Sequence, residues 1–470
     1  MNRFQIAAAL AALALFANTV RADGLKAGAF AQDVTPTKFP ISVNGNFSDI
    51  QATAAHDRLH ARCLVLDDGT TTLAIVVVDS CMMPRELIED AKRRATKATG
   101  IPADHILISA THTHTAPTVT GVFQSEPNAD YVPFLAEKIA EGIAKAHSLL
   151  APAKIGFGRG RDETQVFNRR WKREHALIPP DPFGGTTDRV QMNPGHLAQG
   201  LVEAAGPVDP EISLLAVTTP DGKPVAVLAN YSLHYVGGLP ALSADYFGAF
   251  AERLAQRVAP GDKSFVAAMS NATSADANNV DFGSPALKAG PGERIRVVAE
   301  SVSGRAAEAY KTIEFTRDLT LAAAAKDIRL GVRKPTAKDR ERARRILDEQ
   351  KDKKVLTGSA AVYARETVLM ADYPETVPVT LQALRIGDIG IVAIPCEVFA
   401  EIGLAIKKSS PIKNTFTIEL ANGYNGYLPT PAQHALGGYE TWRARSSYLE
   451  VSASDKIAAT IQVLLKMVAK

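Results

Sequence analysis

Cysteine is scarce, with three in 470 residues, and no Cys-x-x-Cys pair occurs. That excludes a disulfide framework and a thiolate-rich structural zinc site. Cys63 and Cys81 lie in apolar runs (ARCLVL, VVVDSC), so buried free thiols are expected for them and for Cys396. An excess of one charge is also lacking, because 53 Lys and Arg stand against 50 Asp and Glu for a formal +3. So small a balance excludes an electrostatic nucleic-acid surface. Beyond the N-terminus, no apolar run approaches the length of a transmembrane helix. Internal repeats and a clean interdomain linker are missing too, which favours one large catalytic domain over residues 23–470.

What the chain does contain begins at residues 1–22. Arg3, an apolar run from Ile6 to Phe16 and Val20-Arg21-Ala22 form a secretory signal peptide, cleaved near Ala22. The mature protein is expected to be exported, to the periplasm or the medium, and soluble. Its 46% hydrophobic content is that of a globular core.

Apolar runs alternate with helical spacing along the chain. Arg62–Leu66 and Thr72–Val78 flank an Asp67-Asp68-Gly69 turn as a hairpin, and a helix over about Arg85–Lys97 stops at Gly100. A second hairpin, Glu211–Thr218 with Pro224–Ala229, precedes a helix over Ala244–Arg257. Val379–Ile394 reads as two more strands, and Pro395-Cys396-Glu397 as the opening of a helix. This alternation predicts an α/β fold, a layered mixed sheet flanked by helices with the site at strand ends.

The densest chemistry lies in ILISATHTHTAP, Ile106–Pro117, a buried strand emptying into His112 and His114. If the backbone stays extended there, residues two apart share a face and both imidazoles enter one pocket. Other strand ends carry His234, Glu397 and the tyrosines after Ala421. Two histidines, a carboxylate and an open position are the ligand set of hydrolytic zinc. Each residue also has a plainer reading: a core histidine, a carboxylate at a helix N-terminus, packing tyrosines.

Taken in order, ATHTHTAP, NYSLH, SNATSADANN, IPCEVFAEIG and GYNGYLPTPAQHALGGYE resemble the motifs of the neutral ceramidase family of zinc amidases, across nearly the whole mature chain. The resemblance implies that His112, His234, Glu397 and Tyr427 bind zinc and that His114 is the general acid or base. It further implies that Arg169 and Tyr439 polarise the scissile carbonyl of a ceramide-like N-acyl lipid, with peripheral membrane contact. Asn278 aligns where the family carries a serine, Ser274 falls earlier in the loop, and QHALGG replaces residues of the family's substrate-contacting run. An asparagine is no nucleophile, so water activated by zinc is the expected attacking group, with Asn278 at most a hydrogen-bond donor. A zinc hydrolase of another amide or ester, and a zinc-containing binding protein without turnover, are the competing readings. The family's long members add a C-terminal β-domain that this sequence does not reach.

Overall fold

A computed structural model of the chain describes residues 24–470, so the signal peptide expected over residues 1–22 lies outside the described residues. The first hairpin forms as its turn chemistry predicts. Asp67 and Asp68 accept the backbone N–H groups of Gly69, Thr70 and Thr71, and strands His60–Asp67 and Thr72–Val78 pair antiparallel around them. Strand Lys26–Asp33 adds antiparallel to His60–Asp67, and Ile106–Ala110 adds parallel to Thr72–Val78. Helix Arg85–Thr99 makes the parallel crossover and stops at Gly100, whose φ of 78° provides a left-handed cap. Helix Tyr131–Ser148 then returns over the same face, burying Leu135, Ile139 and Ile143.

This arrangement recurs twice. In the second unit, Lys154–Arg161, Glu211–Thr218 and Pro224–Tyr231 pair antiparallel, and Val266–Asn271 joins parallel after helix Asp245–Val258. In the third, Leu321–Gly331, Thr376–Ile386 and Ile389–Ile394 are followed by helix Ala400–Ser409 and the parallel strand Asn414–Glu419. Helices Glu293–Tyr310 and Ala453–Val468 close the second and third units as Tyr131–Ser148 closes the first. The chain is thus three copies of one strand–strand–strand–helix–strand–helix unit. The repeat is invisible in the sequence because it is one of topology, interrupted by unlike insertions between the first and second strands (34–59, 162–210 and 332–375).

The three sheets pack on one another through their inner faces, where Val77, Leu107, Leu215, Leu228, Ile391 and Phe416 share one apolar cluster. Outer faces are covered by the helix pairs, each with its own cluster. Strands buried on both faces read as continuous apolar runs. Within each unit the third and fourth strands end at the same edge, and the antiparallel pairing brings the first-to-second connection to that edge as well. Bonds from Ala110 N to Leu420 O (3.1 Å) and from Asn230 Nδ2 to Thr417 O (3.1 Å) bring the three edges together.

Some expectations give way. Glu397 does not open a helix: it forms a two-residue parallel pair with Tyr427–Leu428, and the helix begins at Ala400. Helix Ala337–Asp348 opens on a capping box between Thr336 and Asp339. Strand Leu321–Gly331 gave no sequence signal because LAAAAKDIRLG is poor in the β-branched and aromatic residues that mark strands.

Candidate metal centre

Beyond Ala110 the chain does not stay extended. His112 has a φ of 75°, a left-handed conformation that costs a non-glycine residue roughly 1 kcal/mol. Bonds from Thr111 N to Val78 O and from His112 N to Ser80 O, both 2.9 Å, fix the turn. His112 and His114 therefore do not share a strand face, yet their imidazoles still meet, with Nε2 atoms 3.2 Å apart.

The threefold plan explains how the other groups arrive. The third strands end at Val78, Tyr231 and Ile394, and three residues further on stand Cys81, His234 and Glu397. Equivalent positions of the three units therefore address one point. His234 Nε2 lies 3.1 Å and Glu397 Oε2 3.3 Å from His112 Nε2. Cys81 contributes its carbonyl, which accepts the Nδ1 proton of His112 at 2.7 Å. His112, His234 and Glu397 are 1%, 1% and 2% exposed.

This donor set fits a metal ion. His112 commits its Nδ1 proton to Cys81 O, and His234 its own to Ser274 O at 3.3 Å, so both Nε2 lone pairs point into the same space. Glu397 Oε2 is buried there with no hydrogen-bond partner. Ring nitrogens and a carboxylate facing one another need a cation between them, a proton on His112 or a metal ion, and separations near 3.2 Å suit ligands each about 2.0–2.2 Å from a four-coordinate ion. Burial opposes charge on His112, but the Cys81 sulfur and the Glu397 carboxylate hold its pKa well above the ordinary imidazole value. Burial pushes His114 and His234 well below it. Burial also pushes the Cys81 thiol up, leaving Glu397 as the acidic partner. In Glu397 itself burial is outweighed by His112, by the Tyr427 hydroxyl and by Arg169, and its carboxyl titrates below the usual range.

Further polar side chains face the same cluster. Tyr427 OH lies against Glu397 and accepts a hydrogen bond from Arg169 Nη2 at 3.0 Å, while Tyr424 OH donates to Glu397 Oε1 at 2.9 Å. Arg169 is held from behind by Glu440, which also pairs with the fully buried Arg170. The Tyr439 ring is 5.7 Å from that of Tyr427 and 6.0 Å from that of Phe47, so it stands on the Arg169 side of the centre. Asn278 lies on the strand that pairs with Phe167–Asn168, just before Arg169, and its side-chain amide bonds Asn193 Oδ1 (3.0 Å) and Val280 N (2.9 Å). Ser274 donates to Glu419 at 2.7 Å. Sequence reasoning missed Cys81, Tyr235, Glu419 and Glu440, whose contacts are made across the repeat units or to backbone. All three cysteines are free and buried, as expected.

Fold and site together define a mixed α/β protein whose strand ends converge on a buried His, Cys and Glu cluster able to bind a metal. No protein-family model matches the chain. Solved structures similar to it include two ceramidases. A ceramidase complexed with C2 superposes with a TM-score of 0.69 at 17% identity, covering 95% of this chain and 75% of that one. Neutral ceramidase from Pseudomonas aeruginosa gives 0.68 at 18%, covering 95% and 74%. At such identity the likeness shows a ceramidase-like fold.

Proposed function

We propose that the protein is an exported zinc-dependent amide hydrolase that cleaves the N-acyl linkage of a ceramide-like lipid, meeting its substrate at a membrane surface. The observation that carries the reading is the convergence of two buried, carbonyl-anchored imidazoles on the unpartnered oxygen of Glu397. Zinc held by His112, His234, Glu397 and Tyr427 would supply Lewis acidity, acidifying water and polarising the acyl carbonyl. In the reaction the water oxygen bonds to the acyl carbon and the C–N bond breaks, releasing a carboxylate and an amine. His114, beside the cluster, takes the water proton and returns it to the leaving nitrogen. Arg169 and Tyr439 donate to the carbonyl oxygen as its charge grows, Arg169 remaining charged throughout because Tyr427 and Glu440 raise its pKa against burial. Among the described residues no helix is long and apolar enough to cross a membrane, so contact with lipid would be peripheral.

Asn278 favours a second reading within the same chemistry. Its amide is already bonded to Asn193 and Val280, so it offers the substrate no nucleophile, and another amide or an ester would meet the same polarising groups. The purified chain is tested on fluorescent N-acylsphingosine, an N-acyl amino acid and an acyl ester. Chelator-sensitive release of sphingosine, restored by zinc, supports the first reading. Turnover of only the other two selects the second, and turnover of none contradicts both in favour of a binding protein.

A further inference from the structure

Of the three imidazoles at the centre, two are oriented by hydrogen bonds from Nδ1 to backbone carbonyls, those of Cys81 and Ser274. His114 has no such anchor. Its Nδ1 is buried and faces the Gly45 backbone without a well-aligned hydrogen bond. Contact holds it instead. The Tyr235 ring lies flat against it, centroids 3.6 Å apart and planes 12° from parallel. On its edge, a Cβ added to Gly45 would come within 2.4 Å of Nδ1, and Gly45 has a φ of +89° that other residues rarely adopt. The platform is itself tied down, because the two residues after Tyr235 donate their N–H groups to Asp245 at 3.1 and 2.7 Å.

We propose that Tyr235 is the positioning residue of His114, a flat surface that fixes the plane of the imidazole without itself engaging either ring nitrogen. The inference rests on the hydrolase reading above for the role of His114 but on geometry alone for the stack. A hydrogen-bonded orienter fixes one tautomer, which suits His112 and His234 as ligands. A ring that must gain a proton in one step and surrender it in the next is better oriented through its face, where no nitrogen is engaged.

The test compares Tyr235→Leu, which keeps apolar bulk without a flat face, with Tyr235→Phe, which keeps the face without the hydroxyl. Zinc per chain, kcat and KM are measured on whichever substrate the wild type turns over. Carbethoxylation of His114 by diethyl pyrocarbonate is followed by mass spectrometry on the zinc-loaded protein. Tyr235→Leu is expected to lower kcat by about 10- to 100-fold, with zinc content unchanged and KM within about twofold. His114 is expected to be labelled severalfold faster in that variant, and Tyr235→Phe to recover most of both effects. Full kcat in Tyr235→Leu, loss in proportion to its zinc, or a Phe variant as impaired as Leu would overturn the proposal. If the wild type turns over nothing, the hydrolase reading has failed separately, and equal labelling of His114 in wild type and Tyr235→Leu would still overturn the stack's role.

Discussion

His112 and His234 face each other through their Nε2 atoms at 3.1 Å, while both Nδ1 protons are held by backbone carbonyls. Two ring nitrogens so placed in a dry interior repel unless a cation lies between them, either the proton that His112 holds or a metal ion in its place. The relationship depends on the loops that aim the rings, and Glu419 joins two of those loops.

Glu419 accepts from Ser274 Oγ at 2.7 Å and from Val398 N at 2.6 Å. Ser274 orients His234 through its carbonyl, and Val398 follows Glu397, so one carboxyl braces two ligands. Glu419→Ala is expected to weaken metal affinity by about 10- to 100-fold, as loss of an outer-shell partner does, and Glu419→Gln by less. Chelator competition measures both; an unchanged affinity in Glu419→Ala would remove Glu419 from the account.

Glu440 is fully buried between Arg169 and Arg170. Its removal would leave two guanidinium groups facing each other without a counter-charge. Glu440→Ala is expected to lower unfolding free energy by about 3–5 kcal/mol. Denaturant titration reads the loss, and a change below about 1 kcal/mol would mean that solvent or Tyr427 takes over the pairing.

Burial pushes Asp245 up to about 6 from 3.8, although three backbone N–H groups favour its ionised form. The folded chain holds this proton more tightly than the unfolded one. Its contribution to stability is therefore full below about pH 4 and is lost as pH rises to about 6, a change of roughly 3 kcal/mol at 1.4 kcal/mol per unit. Asp245→Asn carries no titrating group there. The stability difference between variant and wild type should move in the variant's favour between about pH 4 and pH 7 by up to about 3 kcal/mol. A difference constant across that range would contradict the buried titration.

The parts of this fold that were legible in the sequence are those carried by local chemistry. Asp67-Asp68-Gly69 specifies its hairpin, Gly100 its helix stop, and Ile106–Ala110 its buried strand, because each signal resides in neighbouring residues. His112, His234 and Glu397 were recognisable as donors, and the structure brings them together. The conformation that does so was not legible: the left-handed turn at His112 follows from backbone bonds to Val78 and Ser80, which belong to another strand. Glu397 reads as a helix opening until its pairing with Tyr427 is seen, since parallel partners thirty residues apart leave no local mark. The threefold plan escaped for the same reason, and with it the equivalence of Cys81, His234 and Glu397.

Metal content tests the central claim most directly. Inductively coupled plasma mass spectrometry on the purified wild type, after dialysis against metal-free buffer, should find one zinc per chain, and His114→Ala should retain it. His112→Ala and His234→Ala should each lose it while remaining folded by circular dichroism. A wild type without stoichiometric metal, or a His112→Ala variant that binds it as well as wild type, would contradict the account.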